Sequence, residues 1–302
     1  MDPIDPNLTR THYELMRWPL YEHVIFDFDS TLTGIEGIDV LAERAGVGDE
    51  VSALTQQAMD GNTQLESVYE KRLNTIRPTR GEIRALKAQY RKHLTEDAAE
   101  VVDALQALGH EVYIVSGGLI EPIVDVGTAL GIPAAHIEAV EIQYDEFSGE
   151  WWMAQNGLHD RNQPFLKSTK SDLEKTHGKA GVIERLLDGK RGRSLLVGDG
   201  TSDLVAGSAV DLFVGYTGVV ERKRIVENAP VLLNSRSLAP VLILSAGTRS
   251  LEKLEGSPHQ ALVRKARRLI DEDSVVFNDS ELEERFQSAY RAGTETGAQI
   301  FR

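Results

Sequence analysis

The sequence predicts an α/β fold, a doubly wound parallel sheet with an inserted helical cap and a helical C-terminal extension. Three short apolar segments, residues 23–27, 111–116 and 194–198, each end in acidic or glycine-rich residues. Helical patterns precede or follow these segments, and such an alternation is typical of a parallel sheet covered by helices. Ligands bind such sheets beyond the carboxyl ends of the strands, so we expect the functional site where these segments end.

The composition indicates a globular protein with an excess of acidic residues. The chain has 302 residues, of which 41% are hydrophobic, enough to bury a large core. It carries 33 Lys and Arg against 47 Asp and Glu, a formal charge of −14, which disfavours nucleic acid and anionic membranes as partners. There is no cysteine, which excludes disulfides and zinc–thiolate sites. No apolar run has the length of a signal peptide or a membrane span, so we expect a cytoplasmic protein.

Changes in pattern along the chain predict a discontinuous core with two helical additions. Between residues 33 and 95, four helical patterns follow one another without a strand, which predicts an inserted cap. From residue 249 onward the pattern is amphipathic helix, and we expect this segment to be accessory unless Leu254, Leu262 and Ile270 cover the sheet. The predicted domains are residues 1–35 and 96–248 for the core, 36–95 for the cap and 249–302 for the C-terminal extension.

Two acidic pairs follow the first and third predicted strands. Asp27 and Asp29 lie in the segment DFDSTLT after the first strand, and such close carboxylates repel each other unless they share a cation or a proton. A surface pair that caps a turn is the alternative interpretation of this motif alone. Asp199 and Asp203 follow the third strand, so four carboxylates are expected at one edge of the sheet. Oxygen ligands without His or Cys favour magnesium over zinc.

Phosphate ligands are predicted at two further positions. Ser116 and Gly117, followed by Gly118, lie at the tip of the second predicted strand where a helix begins, so a hydroxyl and backbone N–H groups can bind phosphate oxygens there. Lys179 precedes a helical segment and can place an ammonium group on the same phosphate. A simple turn and a solvated lysine are the alternative interpretations when each motif is taken alone.

The order of these motifs over residues 21–244 resembles the four motifs of the haloacid dehalogenase-like superfamily. The helical insertion after the first motif is similar to the cap of its phosphoserine phosphatase branch. The resemblance implies a phosphatase that forms an aspartyl-phosphate and needs Mg²⁺. By the same resemblance, the nucleophile is Asp27, the acid/base is Asp29, the phosphate ligands are Ser116, Gly117 and Lys179, and the metal ligands are Asp27, Asp199, Asp203 and the backbone carbonyl of Asp29.

The predicted cap carries the residues expected to select the substrate. Residues 36–39 (EGID) and 58–61 (AMDG) resemble the phosphoserine phosphatases. By this resemblance, Glu36 binds the ammonium group of L-phosphoserine and Arg72 binds its carboxylate, and the charges are complementary. Solvated positions on a helix face are the alternative for both residues. Residues 147–175, which include two adjacent tryptophans, are expected to add contacts over the pocket.

The implied function is a phosphomonoesterase of serine biosynthesis, which releases L-serine and phosphate. Three departures leave alternatives open, because the branch usually has an aromatic residue at Leu65, Asn or Thr at Ser202 and an Asn-Arg pair at residues 140–141. One alternative is a phosphatase or phosphotransferase of the same superfamily for another small phosphate ester, and a homodimer is open in each case. A non-catalytic module that binds a phosphorylated ligand is the alternative from another class, although such a module would normally have lost Asp27 or Asp29.

Overall fold

A seven-stranded sheet forms the centre of the computed structural model, which describes residues 18–59, 65–148 and 162–300. The described strands are β1 (His23–Phe26), β2 (Glu111–Leu119), β3 (Ile137–Val140), β4 (Ile142–Tyr144), β5 (Phe165–Ser168), β6 (Ser194–Gly198), β7 (Leu212–Tyr216), β8 (Val231–Leu233) and β9 (Val275–Phe277). The large sheet has the order β3-β2-β1-β6-β7-β8-β9, parallel from β3 to β8, with β9 antiparallel to β8. The predicted doubly wound sheet is confirmed.

Helices connect these strands and build the cap. In chain order they are α1 (Gly37–Ala45), α2 (Gly48–Met59), α3 (Leu65–Ile76), α4 (Arg80–Lys92), α5 (Ala98–Leu108), α6 (Ile120–Ala129), α7 (Gly178–Leu187), α8 (Thr201–Ala206), α9 (Lys223–Asn228), α10 (Ala239–Ser250), α11 (Gln260–Asp271) and α12 (Ser280–Ile300). The four helices predicted between residues 33 and 95 are present as α1 to α4. In the parts of the chain that the structure describes, no helix combines the length and the apolar character needed to cross a membrane.

Strand β1 lies inside the sheet, between β2 and β6, and sets the position of the site. All four of its residues are buried, and its register places Phe26 beside Ile114 of β2 and Val197 of β6. The three strands predicted to end in polar residues are therefore neighbours that end at the same edge. Because β2 lies on one side of β1 and β6 on the other, this edge is the switch point at which open α/β sheets bind ligands.

Helix α4 ties the cap to the core. Thr79 and Glu82 form a capping box at its start, in which each side chain accepts a hydrogen bond from the other residue's N–H. Four basic side chains on one face of α4 pair with two carboxylates of α6. We call this set of ion pairs the cap–core ladder. Arg80 and Arg84 lie 2.9 and 2.6 Å from Glu121. Lys87 and Arg91 lie 2.9 and 2.6 Å from Asp125. Three other side chains of α4, Ile83, Leu86 and Tyr90, are buried.

The described part of residues 147–175 contacts the cap. Strand β5 pairs with β4 in a small antiparallel sheet. The N–H of Phe165 donates a hydrogen bond of 2.8 Å to the carbonyl of Pro78, just before α4. This contact is made to the junction between α3 and α4, and the expected contacts over the pocket stay a prediction. The adjacent tryptophans Trp151 and Trp152 lie outside the described residues.

The C-terminal segment packs against the core, which is the condition under which the sequence predicted that it is not accessory. Leu254, Leu262 and Ile270 are each at most 7% exposed, and β9 completes the large sheet beside β8. The segment is also not purely helical, since β9 lies between α11 and α12. Removing residues 249–302 would uncover this apolar surface, so we now expect the shortened protein to aggregate instead of keeping its activity, as a solubility measurement would show.

Candidate active site

The ends of β1 and β6 place carboxylates side by side. Asp27 follows β1, and its N–H donates a hydrogen bond of 2.9 Å to the carbonyl of Val197 in β6. Asp199 directly follows β6. Asp203 lies in the first turn of α8, where its Oδ2 accepts a hydrogen bond of 2.9 Å from the N–H of Gly200. Two strand ends and one helix start thus converge on a single point.

A glycine at the end of β6 allows these carboxylates to approach one another. A Cβ atom at Gly198 would lie 2.3 Å from Cγ of Asp203, well inside van der Waals contact. Oxygens of Asp27, Asp199 and Asp203 all lie within 4.8 Å of one another, and oxygen donors of this kind fit a hard cation such as Mg²⁺. The side chain of Asp29 is not in this group, and its backbone carbonyl stays a predicted ligand.

Lys179, in the first turn of α7, pairs with two of these carboxylates. Its Nζ lies 3.1 Å from Oδ1 of Asp27 and 2.5 Å from Oδ1 of Asp203, and its side chain is only 3% exposed. Burial alone would lower the pKa of Lys179, but the charges of Asp203 and Asp27 outweigh burial and raise it above its ordinary value. The ammonium group therefore stays charged beside Asp27.

Arg222 is a second cation at this site, and the sequence interpretation missed it. Its Nε and Nη2 both lie 2.9 Å from Oδ2 of Asp199, and Nη2 lies 3.3 Å from Oε1 of Glu36. Burial raises the pKa of Asp199 to about 7, the charge of Asp27 adds to the rise, and Arg222 opposes it. The available signal was the apolar segment of β7, whose carboxyl end lies beside that of β6 and leads into the loop that carries Arg222.

Asp29 lies in a half-buried position next to the cap. Its Oδ1 accepts a hydrogen bond of 3.2 Å from the N–H of Gly37, at the start of α1. The side chain of Tyr90, from α4, is buried against Gly37. Burial raises the pKa of Asp29 well above its usual range, and the negative charges of Glu36 and Asp27 raise it further. A raised pKa suits a group that donates and accepts a proton during a reaction.

Ser116 and Gly117 lie near the end of β2, beside the strand that leads to Asp27. The Oγ of Ser116 is buried and accepts a hydrogen bond of 3.0 Å from the N–H of Gly118. That arrangement leaves the hydroxyl hydrogen to bind an acceptor. Helix α6 begins at Ile120, and the first turn of a helix offers N–H groups to an anion.

The two cap residues predicted to bind substrate occupy different surroundings. Glu36 precedes α1, and its Oε1 accepts a hydrogen bond of 2.8 Å from Oγ of Ser30. Arg72 lies on α3, where Nη1 is 3.4 Å from Oγ1 of Thr55 and the guanidinium is 5.6 Å from the ring centroid of Tyr69. Within the described residues, the buried Nε of Arg72 has no hydrogen-bond partner. A buried donor of this kind is costly unless a ligand binds it.

Comparisons with known proteins agree with this arrangement. The family model for haloacid dehalogenase-like hydrolases matches residues 24–207. Phosphoserine phosphatase of Bos taurus is 34% identical over 68% of this chain and 86% of its own length, and chloroplastic phosphoserine phosphatase of Arabidopsis thaliana is 33% identical over 72% and 70%. A structure described as a phospho-aspartyl intermediate analogue of phosphoserine phosphatase has the same fold, with a TM-score of 0.60, 23% identity and coverage of 74% of this chain and 98% of that chain. The chain belongs to the haloacid dehalogenase-like hydrolases, in their phosphoserine phosphatase-like branch.

Proposed function

We propose that this chain is a magnesium-dependent phosphoserine phosphatase, which releases L-serine and phosphate. The observation that carries the proposal is the position of Asp27, at the end of the central strand, with Lys179 on one oxygen and two further carboxylates within 4.8 Å. A carboxylate at this position can attack phosphorus. The relatives that are 33% and 34% identical are phosphoserine phosphatases, and this supports the same substrate here.

In the first step, Asp27 attacks the phosphate of the substrate. The N–H of Phe28, at 2.7 Å, and the ammonium of Lys179, at 3.1 Å, both bind Oδ1 of Asp27, so we infer that Oδ2 forms the new bond to phosphorus. The bond between phosphorus and the serine oxygen breaks, and Asp29 gives its proton to that oxygen. The products of this step are L-serine and an aspartyl-phosphate on Asp27.

In the second step, water hydrolyses the aspartyl-phosphate. Asp29, now a carboxylate, takes a proton from the water whose oxygen attacks phosphorus, and the bond between phosphorus and Asp27 breaks. Inorganic phosphate leaves, and both side chains return to their starting protonation states. The raised pKa of Asp29, caused by burial and by nearby negative charge, suits a group that first donates and then accepts a proton.

Fixed positive charge and hydrogen-bond donors stabilise the transferring phosphoryl group. Lys179 supplies a charge, and the hydroxyl of Ser116 and the N–H of Gly117 donate hydrogen bonds to phosphate oxygens. When bound, Mg²⁺ neutralises charge on the phosphoryl group and on the carboxylates around it. The residues that would hold the ion are Asp27, Asp199, Asp203 and, through its carbonyl, Asp29. Hydrogen-bond donors and charges that are already in position when the reaction begins are the main means by which proteins catalyse phosphoryl transfer.

Glu36 and Arg72 would recognise the amino-acid part of the substrate. Arg72 offers a guanidinium with a buried, unpaired Nε, and a guanidinium binds a carboxylate through two parallel hydrogen bonds. Glu36 offers a carboxylate that can bind an ammonium group. Arg222 forms an ion pair with Glu36, at 3.3 Å, and another with Asp199. It therefore links a predicted substrate-binding residue to a predicted metal ligand.

The Arg72→Ala variant tests the proposal. With L-phosphoserine we expect a lower kcat/KM, equivalent to a loss of about 2–4 kcal/mol of transition-state stabilisation. The reason is that the substrate carboxylate loses its partner in a closed pocket. With p-nitrophenyl phosphate, which has no carboxylate, kcat/KM should change little. Phosphate release is measured with Mg²⁺ and with a chelator, and the chelated enzyme should be inactive.

Three results would contradict the proposal. Equal losses on both substrates would mean that Arg72 holds the cap together instead of binding substrate. A wild-type enzyme that ignores L-phosphoserine and hydrolyses sugar phosphates would be a phosphatase for another ester. Less free phosphate than serine, together with a new phosphorylated alcohol, would indicate a phosphotransferase.

A further inference from the structure

We propose that Thr55 and Tyr69 are positioning residues, which hold the guanidinium of Arg72 in the orientation needed to bind the carboxylate of the substrate. The inference rests on the proposed function, because it takes Arg72 as the residue that binds this carboxylate. Neither positioning residue has to touch the substrate. Both act on recognition only through Arg72, so a change in either should matter only for substrates that carry a carboxylate.

Thr55 binds the guanidinium from helix α2. Nη1 of Arg72 lies 3.4 Å from Oγ1 of Thr55, and the hydroxyl of Thr55 donates its own hydrogen to the carbonyl of Val51, at 3.1 Å. A hydroxyl has a single hydrogen, so Oγ1 presents its lone pairs to Arg72, which has only donors. Val51 is fully buried. The two hydrogen bonds therefore connect the guanidinium to a buried part of the cap.

Tyr69 contacts the guanidinium from helix α3. It lies three residues before Arg72, so the two side chains are neighbours on the surface of the helix. The guanidinium is 5.6 Å from the centroid of the ring, within the range of cation–π attraction, and Tyr69 is only 6% exposed. Helix α3 packs against α2. Contacts from two neighbouring helices thus limit the movement of one long side chain.

The contact with Thr55 leaves one edge of the guanidinium for a ligand. In this planar group Nε and Nη2 donate along one edge, and Nη1 lies on the other side. The buried Nε has no hydrogen-bond partner among the described residues, and its edge has the geometry that binds a carboxylate through two parallel hydrogen bonds. Thr55 therefore holds the arginine by a nitrogen that this mode of binding does not use. A side chain that is already held in its bound orientation loses less conformational freedom when the ligand binds.

Thr55→Val tests this inference, because valine has nearly the same shape and lacks the hydroxyl. For L-phosphoserine we expect kcat/KM to fall about fivefold, mainly through a higher KM, since a contact that holds Arg72 acts before and during the reaction alike. For p-nitrophenyl phosphate, which has no carboxylate, kcat/KM should change less than about twofold. Thr55→Ser, which keeps the hydroxyl, should retain most of the wild-type kcat/KM for both esters.

Thr128→Val is the matched control. The hydroxyl of Thr128 also donates to the carbonyl four residues before it, that of Val124 at 2.6 Å, but on helix α6 of the core. The variant therefore reports the cost of losing such a hydrogen bond from a helix. It should leave kcat/KM for both esters unchanged.

A double-mutant cycle separates positioning from a structural role. In the Arg72→Ala background, Thr55→Val should change kcat/KM for L-phosphoserine by less than about twofold, because no guanidinium is left to position. Tyr69→Leu, which removes the ring, should cause the same selective loss as Thr55→Val, whereas Tyr69→Phe, which keeps the ring, should not. Equal losses on both esters, a loss that persists without Arg72, or an unchanged kcat/KM in Thr55→Val or Tyr69→Leu would each overturn the inference.

Failure of the proposed function has a different signature. A selective loss in Arg72→Ala without one in Thr55→Val would keep the proposed substrate and overturn only the inference. A wild-type enzyme that ignores L-phosphoserine and hydrolyses another ester with a carboxylate, such as a phosphoglycerate, would refute the proposed substrate, and the same variants would then test the inference on that ester. A wild-type enzyme that hydrolyses only esters without a carboxylate would overturn both.

Discussion

The active site and the cap–core ladder both bring carboxyl groups and basic groups together, but they differ in burial and in balance. The active site contains Asp27, Asp29, Glu36, Asp199 and Asp203 with the cations Lys179 and Arg222, and the ladder contains Glu121 and Asp125 with the cations Arg80, Arg84, Lys87 and Arg91. The side chains of Lys179 and Asp203 are 3% and 0% exposed, whereas those of Arg91 and Asp125 are 51% and 32% exposed.

The comparison indicates that the charges of the active site take part in the reaction, whereas those of the ladder hold α4 in place. Water screens the half-exposed ladder, so each of its pairs contributes about 0–1 kcal/mol, and its main effect is to orient α4. In the active site, burial raises the pKa of Asp29 and of Asp199, and the nearby negative charges raise both further. An excess of negative charge of this kind favours a bound cation.

Asp27→Asn should have the largest effect of any change in either region. The amide has nearly the same shape but cannot form the aspartyl-phosphate, so we expect phosphate release to fall by about 10²-fold or more with an unchanged melting temperature. Trapping with beryllofluoride should label the wild-type enzyme and not the variant. Retention of more than about a tenth of the wild-type activity would contradict the role of Asp27.

A matched pair of arginine variants compares the two regions directly. Arg222→Ala leaves Asp199 and Glu36 without their cation in a buried, negatively charged site, so we expect the free energy of unfolding of the metal-free protein to fall by about 2–3 kcal/mol. Arg91→Ala, in the ladder, should lower it by about 0.5 kcal/mol or less. Urea denaturation measures the free energy of unfolding of each variant. Similar losses would show that burial does not make the active-site ion pairs stronger than those of the ladder.

Magnesium should stabilise the protein more strongly at higher pH. Burial raises the pKa of Asp199 to about 7 in the folded protein. Protonation of Asp199 therefore stabilises the metal-free folded protein at low pH, and this stabilisation is lost as pH rises through about 7. The cation needs the carboxylate form, and therefore binds better above that pH. The rise in melting temperature on adding Mg²⁺ should be larger at about pH 8 than at about pH 6. An equal rise at both values would show that Asp199 is already ionised at the lower pH.

Glu121→Gln should also have a small effect, although it removes the partner shared by Arg80 and Arg84. We expect the free energy of unfolding to fall by about 1 kcal/mol or less, because all three side chains are partly exposed to water. The difference from the wild type should shrink further in high salt, which screens such pairs. A loss that persists in high salt would mean that the ladder carries a buried interaction.

Local patterns in the sequence predicted the strand ends but not the contacts between distant segments. Asp27 and Asp199 could be predicted because each follows an apolar run directly. Arg222 was missed, since its ion pair with Glu36 joins residues 186 positions apart and only its place in the loop after β7 pointed to the site. Residues 241–244 form an apolar run but lie within α10, because a short apolar run suits a buried helix as well as a strand.

The pairing of β9 with β8 makes completion of the sheet depend on a late stage of protein synthesis. Strand β8 ends at Leu233 and β9 begins at Val275, so β8 has an open edge while the residues between them are being made. Strand β1 can also pair only after later segments have been made, since His23 pairs with Glu111 and with Ser194. Pairings between such distant residues slow folding. The newly made chain therefore passes through a stage in which its apolar strands are open to aggregation, and chaperones that shield strand edges should increase the yield of folded enzyme.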